Sequence, residues 1–203
     1  MNSTPPDAAD WEIIVVGAGA AGFLAAIAAA ERGRRVLVVE KNRKPGVKIL
    51  MSGGTRCNLT HATDVRGIIE AYGDQGKFLH SALALLDPAG VIELFRAEGV
   101  EVKTEENGKV FPVSDSAVDV QQALLRRLDR AGAELRTGVA VVEITPRAKG
   151  GFQLTTTAGE LTCKRLIVTT GGKSFPGCGT TGDGYAWAQK LGHSIVEPRP
   201  ALT

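Results

Sequence analysis

The sequence predicts an α/β fold in which a parallel sheet carries an inserted antiparallel three-stranded meander. Three observations predict it: a strand, glycine turn, helix, strand order over residues 12–40, short strands of period two after Glu134, and a continuous β-branched run at residues 166–170. The first is the most informative. Glu12-Ile13-Ile14-Val15-Val16 leads into Gly17-Ala18-Gly19-Ala20-Ala21-Gly22, then an alanine-rich helix, then Val36-Leu37-Val38-Val39-Glu40. Gly17 permits a tight turn, Gly19 lets the backbone approach a pyrophosphate, and Gly22 lets the helix pack closely on the strand. The helix amino terminus, including Ala20 and Ala21, offers free N–H groups and a positive dipole to phosphates. Glu40, about 20 residues on at the tip of the second strand, is placed to accept hydrogen bonds from ribose hydroxyls. The segment therefore reads as a Rossmann-like dinucleotide-binding unit; the competing reading is a phosphate-free turn of an α/β sheet.

Size and composition exclude other classes. A chain of 203 residues is long enough for one substantial core. A net charge of +2 with 5% aromatic residues gives no basic stripe with stacking side chains, which argues against nucleic acid as a partner. The uncharged run over residues 13–30 approaches the length of a membrane span, but its glycines, alanines and strand-then-helix character fit a buried βα unit instead. Residues 1–10 are polar, contain Pro5-Pro6 and lack a secretory signal's basic start and apolar stretch, so a disordered amino terminus and a cytoplasmic location are expected. Cys57, Cys163 and Cys178 have no CxxC spacing, and His61, His80 and His193 form no ligand pair, so neither a disulfide framework nor a metal site is expected.

Residues 42–63 are rich in Gly, Lys, Ser and Thr without a long apolar period, a connection whose length marks it as functional or disordered. Helical signals resume at residues 76–86. Asp87-Pro88 then predicts a cap and first-turn proline for a helix reaching Glu98, with Val91, Ile92, Leu94 and Phe95 on its apolar face. Residues 100–103 and 109–111 flank Asn107-Gly108, a tight hairpin signal. A helix follows Ser114 or Ser116 and runs to about Ala131, with Val118, Leu124, Leu125 and Leu128 at helical spacing. Residues 139–144, 152–155 and 160–163 read as the meander, which runs straight into residues 166–170, a continuous apolar and β-branched run suited to a buried parallel strand and broken by Gly171-Gly172. Gly171-Gly172-Lys173-Ser174 is not a nucleoside-triphosphate loop: Ile167 stands where that motif needs glycine, and Pro176 obstructs the following helix. Residues 185–191 form a last helix, closed by Gly192.

Gly46-Val47-Lys48-Ile49-Leu50-Met51-Ser52-Gly53-Gly54-Thr55-Arg56-Cys57-Asn58-Leu59-Thr60 is similar to the GxKIxxSGGGRCNxT signature of a bacterial flavoprotein family. That family includes aminoacetone oxidase family FAD-binding enzymes and relatives of the 3-dehydro-bile acid delta-4,6-reductase, within the glutathione-reductase-like superfamily. The likeness continues through residues 108–114 and 170–176 to Thr180-Thr181-Gly182-Asp183-Gly184. Thr55 departs from the usual third glycine and Thr169 from the usual alanine of a later Ala-Thr-Gly.

The resemblance implies a Rossmann-like FAD-binding fold and a role for each matched residue. Gly17 to Gly22 would cradle the FAD pyrophosphate, Glu40 would hold the adenosine ribose with Lys41 beside it, and Val141 would meet the adenine through its backbone. Thr170, Gly171 and Gly172 would close the site. Ser52, Gly53, Gly54, Arg56, Cys57 and Asn58 would lie along the ribityl chain and flavin ring, where Lys48 or Arg56 would add positive charge that raises the reduction potential. The alternative for both cations is pairing with a surface carboxylate. Cys57 is expected as a small buried residue rather than a redox group, and Asp183 as either a helix cap or a cofactor contact. Relatives of this type continue for about as many residues again, so the resemblance implies an incomplete FAD-binding domain at 11–197 and a connection beginning at 198–203. The function implied is an oxidoreductase that passes hydride between a small organic substrate and flavin, with NAD(P)H as a candidate electron donor. A non-catalytic FAD or dinucleotide sensor or scaffold is the alternative, and an NAD-only dehydrogenase leaves residues 52–58 and the meander without a purpose.

Overall fold

The computed structural model describes residues 11–199. The expected disordered stretch 1–10 and residues 200–203 of the expected connection lie outside the described residues. In chain order the elements begin β1 (Trp11–Val16), α1 (Ala20–Ala30), β2 (Val36–Glu40), α2 (Val47–Met51), β3 (Thr60–His61) and α3 (Val65–Ala71). A 3-10 turn (Gly73–Leu79) leads to α4 (His80–Leu85), α5 (Pro88–Ala97), β4 (Val102–Thr104), β5 (Lys109–Pro112) and α6 (Ala117–Arg130). The chain continues with β6 (Glu134–Thr137), β7 (Val141–Pro146), β8 (Phe152–Thr156), β9 (Gly159–Val168), a short 3-10 turn (Pro176–Cys178) and α7 (Asp183–Lys190). Two compact units result, one from residues up to Val47 and from Arg127 onward, the other from Lys48–Arg126.

The first unit is built on a six-stranded sheet of order β6-β2-β1-β9-β8-β7. β1 pairs in parallel with β2 and with β9, and β2 in parallel with β6, while β9, β8 and β7 form the antiparallel meander. The apolar runs of β1 and β2 are buried because both faces are covered: Ile14, Val15, Leu37 and Val38 have no exposed surface. On one face Trp11, Leu37, Leu154, Cys163 and Trp187 meet in a single cluster.

The last meander strand runs straight into the parallel one: residues 160–163 and 166–168 are the two halves of β9, which is antiparallel to β8 through Gly159–Cys163 and parallel to β1 through Cys163–Val168. Lys164-Arg165 carries no turn residue, so the strand leaves one partner and gains the other without a break. The second half is also less buried than an interior parallel strand: Leu166 and Ile167 are half-buried and Val168 is 41% exposed.

The second unit holds a three-stranded antiparallel sheet, β3-β5-β4. The expected Asn107-Gly108 turn is present but wider than a two-residue hairpin loop, because Glu105 and Lys109 still pair and Gly108 closes the loop at φ +79°. α5 begins as its sequence predicts, with the Asp87 carboxylate accepting from Gly90 N at 2.7 Å and Pro88 in the first turn. β3, α2 and α3 were not signalled. They lie in or just after the Gly-, Ser- and Thr-rich connection, and only Asp64, which caps α3 by accepting from Gly67 N, announces one of them. In α6 the buried stripe is Ala117, Val120, Gln121, Ala123, Leu124 and Leu128, whereas the expected Val118 is 50% exposed.

Candidate functional site

The glycine turn at the carboxyl end of β1 is held from several directions. Gly17 N donates to Val39 O, and Gly17 itself lies at φ +103°, where a Cβ would stand 2.7 Å from Thr169 O. The Thr169 hydroxyl donates to both Val16 O and Gly17 O at 3.0 Å, so the residue that departs from the usual alanine braces the turn. A Cβ on Gly22 would lie 1.8 Å from Gly17 O, which is the close helix-to-strand approach its position in the motif requires. Gly19 differs: nothing lies within 4 Å of where its Cβ would be. α1 starts at that open space with no side-chain cap and no acidic residue in its first turn, leaving its amino-terminal amides and dipole to an anion.

Ala18 is committed to the protein, donating its N–H to Glu40 Oε2 at 2.7 Å and accepting from Gly46 N at 2.8 Å. Glu40 as a whole is 8% exposed, and the other oxygen of its side chain accepts from Asn42 N at 2.8 Å. Each carboxylate oxygen keeps a further lone pair for a ribose hydroxyl. Lys41 is turned to Asp183 and Thr181, both at 2.7 Å. This contact and the Thr181 hydroxyl hold the Asp183 carboxyl below its ordinary value, against a smaller opposing effect of burial. Asp183 does not cap α7: Gly182 occupies the cap position, and the carboxylate faces Lys41 and Thr181. Val141 opens β7 beside a register shift. Thr170 and Gly171 line an apolar hollow of about 520 Å³ with Leu166, Val168 and Tyr185. Gly172 sits where a Cβ would meet the Tyr185 hydroxyl at 3.3 Å.

Residues 52–58 belong to the second unit. Four of them, Gly53, Gly54, Thr55 and Cys57, have φ between +56° and +71°, so the loop is a succession of left-handed residues. Thr55 and Cys57 adopt a conformation that costs a non-glycine residue about 1–2 kcal/mol. Ser52 O accepts from Cys57 N at 3.0 Å, and a Cβ on Gly53 would strike Phe111 at 2.7 Å and Asn58 N at 2.9 Å. The loop thus folds back on its own amides. The Arg56 guanidinium lies 4.0 Å over the Phe111 ring and pairs with Glu105 and, at 3.5 Å, with Asp115, so its charge is engaged by two carboxylates. Lys48 is exposed. Asn58 turns its amide nitrogen toward Thr60 O and Val110 O, 2.9 and 3.3 Å away. Cys57 is buried, and burial pushes its thiol up, with a hydrogen bond to Ser52 opposing. All three cysteines are buried, and no cluster of potential metal ligands occurs among the described residues.

Thr169, Asn42 and Thr181 take part in the first unit's site without having been singled out as site residues. Thr169 had a signal, its departure from the family's alanine; Asn42 and Thr181 act through folding that brings residues about 140 positions apart into contact.

A glycine turn on a parallel sheet, an uncapped helix terminus facing open space and a buried acidic residue at the next strand tip define a Rossmann-type dinucleotide-binding domain. The chain belongs to the family described as HI0933-like protein Rossmann domain, which matches residues 11–199. It is 34% identical over 193 residues to the ribosomal RNA dihydrouridine synthase of Escherichia coli strain K12, covering 95% of this chain and 47% of that protein. It is also 34% identical to the 3-dehydro-bile acid delta(4,6)-reductase of Clostridium scindens, covering 93% of this chain and 46% of that one. The chain thus spans about half the length of these relatives. Among solved structures, the open conformation of a flavocytochrome c3 fumarate reductase matches 92% of the chain and 41% of its own length, with TM-score 0.65 and 20% identity. Glycine oxidase from Geobacillus kaustophilus matches 92% of the chain and 59% of its own length, with TM-score 0.56 and 17% identity. Both share the fold.

Proposed function

We propose that the protein is an FAD-dependent oxidoreductase that moves hydride between flavin and an organic substrate. The open space at Gly19 in front of an uncapped helix, with the Glu40 carboxylate fixed beside it, carries the reading. Bound flavin supplies the hydride chemistry. The chain's own residues bind and orient: the first-turn amides of α1 neutralise the pyrophosphate, Gly17 and Gly22 hold that turn in shape, and Glu40 accepts from the adenosine ribose. Val141 meets the adenine, and Thr170, Gly171 and Gly172 border the site. The likeness of residues 46–60 to the family signature is the support for assigning Lys48, residues 52–54 and residues 56–58 to the flavin.

The names of the two relatives favour reduction as the direction. Making dihydrouridine and acting as a delta(4,6)-reductase on a 3-oxo compound both saturate a carbon–carbon double bond conjugated with a carbonyl. We take the substrate to be a small molecule of that kind, with NAD(P)H as donor and the cytoplasm as location. A net charge of +2 and few aromatic residues favour a small substrate over RNA. The RNA reading rests on the relatives named as ribosomal RNA dihydrouridine synthases. A sensor or scaffold that binds FAD without turnover is the remaining alternative.

The test is to express the full reading frame, load it with FAD, add NADPH anaerobically, and offer a 3-oxo-4-ene steroid or a ribosomal RNA fragment. Bleaching of the flavin by NADPH and its return with the steroid support the proposal, and return with RNA alone replaces the substrate. Bound flavin that nothing bleaches points to the sensor. A colourless protein that takes up no FAD defeats the reading.

A further inference from the structure

The residues just past Glu40 are tied to a distant segment that the nucleotide motif does not include. Lys41 Nζ donates to Thr181 Oγ1 and to Asp183 Oδ2, each at 2.7 Å, and the Thr181 hydroxyl donates on to both Asp183 oxygens at 2.9 Å. One residue further, Asn42 Nδ2 donates to Cys178 O at 3.3 Å. Gly179, at φ +90°, lies so close to the Asn42 amide that a Cβ would stand 2.7 Å from it. Three contacts therefore pin residues 178–183 across Lys41 and Asn42.

The same two residues set the Glu40 carboxylate. Its Oε1 accepts from Asn42 N at 2.8 Å and its Oε2 from Ala18 N at 2.7 Å, so the Asn42 backbone is one of its two supports. The Asn42 carbonyl in turn accepts from Gly138 N at 3.0 Å, which leaves the side chains of Lys41 and Asn42 to join this strand tip to residues 178–183.

We propose that Asp183 is a positioning residue of the dinucleotide site: through Lys41 it clamps residues 178–183 onto the tip of β2 and so holds Glu40 ready for the adenosine ribose. This rests on the proposed FAD-binding function. The pair is neither deeply buried nor fully open, with side-chain exposures of 32% and 38%, so its effect is moderate.

The experiment is a double-mutant cycle on Lys41→Met and Asp183→Asn, read as FAD dissociation constants from flavin fluorescence quenching, with cofactor-free melting followed in parallel. Each single change is expected to weaken FAD by about three- to tenfold, and the double change by no more than the weaker-binding single, because both remove one linkage. A second readout is specific to ribose: wild type should prefer ADP to its 2′,3′-dideoxy analogue, and both variants should lose most of that preference. Additive losses would instead make Asp183 a direct cofactor contact and overturn the proposal, as would unchanged affinity in variants of a wild type that binds. A wild type that binds no FAD removes the proposed function itself, and this inference with it.

Discussion

Gly19 and Gly22 occupy neighbouring positions of one motif, yet the structure gives them opposite consequences on substitution. A methyl at Gly22 would lie 1.8 Å from Gly17 O and 2.8 Å from Thr169 Oγ1, and the first of these is backbone that cannot move without lifting α1 from the sheet. Overpacking a tight site costs about 1–3 kcal/mol, and a backbone clash belongs at or beyond the upper end. At about 2–4 °C per kcal/mol for a chain of this size, Gly22→Ala should melt roughly 6–12 °C below wild type.

A methyl at Gly19 meets no atom within 4 Å, and its φ of −84° is open to any residue. Relief of unfolded-state entropy, about 0.4–1 kcal/mol, is offset by alanine's poorer performance at a helix cap, so the melting temperature should stay within about 2 °C. The methyl does occupy the space in front of the uncapped amides of α1, where a pyrophosphate oxygen would approach. Losing one charge-assisted hydrogen bond of about 1.5–3 kcal/mol corresponds to a roughly 10- to 100-fold weaker FAD affinity. Differential scanning fluorimetry and FAD titration on the two variants decide the matter. If Gly19→Ala melts as low as Gly22→Ala, or binds FAD as tightly as wild type, the space in front of α1 is not the phosphate site.

Other consequences follow from named contacts. Glu40→Gln sets an amide NH2 against the N–H of Ala18 or Asn42, both now bonded to carboxylate oxygens; leaving one buried N–H unmet costs about 2 kcal/mol and should lower melting by roughly 4–8 °C. Asp183 and Asp115 are held below the ordinary value of 3.8 by hydrogen bonds from Lys41 and Lys103 respectively. A lowered folded value means that their contribution is complete above 3.8 and is lost as pH falls through the folded values. Urea melts should therefore weaken on acidification below about pH 4, and Asp183→Asn should flatten that limb; an unchanged limb would show that the Lys41 contact does not persist in solution. The three cysteines are buried, and the Cys57 thiol is further pushed up by burial, so iodoacetamide at neutral pH should label the folded protein far more slowly than the same protein in urea. Rapid native labelling of Cys57 would place it on an accessible surface.

The legible parts of the fold were those in which local chemistry and tertiary packing agree. β1, α1 and β2 were readable because β-branched runs, a fixed glycine spacing and an alanine-rich helix all point the same way. α5 was readable from a capping aspartate and a first-turn proline. β3 could not be read, since Thr60–His61 becomes a strand only by pairing with Val110 and Lys109. The exposure of the second half of β9 could not be read, because a continuous apolar run is the sequence signal of a strand covered on both faces, whereas Val168 is 41% exposed. In the site, Glu40 and the glycines followed from spacing. The network of Lys41, Thr181 and Asp183 did not, because no local pattern links an ammonium to a carboxylate 142 positions away.

Residues 17–22 and 40–42 divide between supporting the fold and meeting a ligand, and the two roles bear differently on how a loss of binding should be read. Gly17 and Gly22 are pressed against Thr169 and Gly17 backbone, and Ala18 gives its amide to Glu40, so changes there act on affinity through the shape of the turn. Gly19 alone among these glycines faces open space, so a change there acts on the ligand. Glu40 belongs to both groups: its two oxygens satisfy two amides while their remaining lone pairs stay available to a ribose. Weaker FAD binding in a Glu40 variant is therefore attributable to ribose recognition only to the extent that it exceeds the accompanying loss of folding stability. The same loss in a Gly19 variant that melts normally has no such second cause, which makes Gly19 the position from which the nucleotide's place on this sheet can be established.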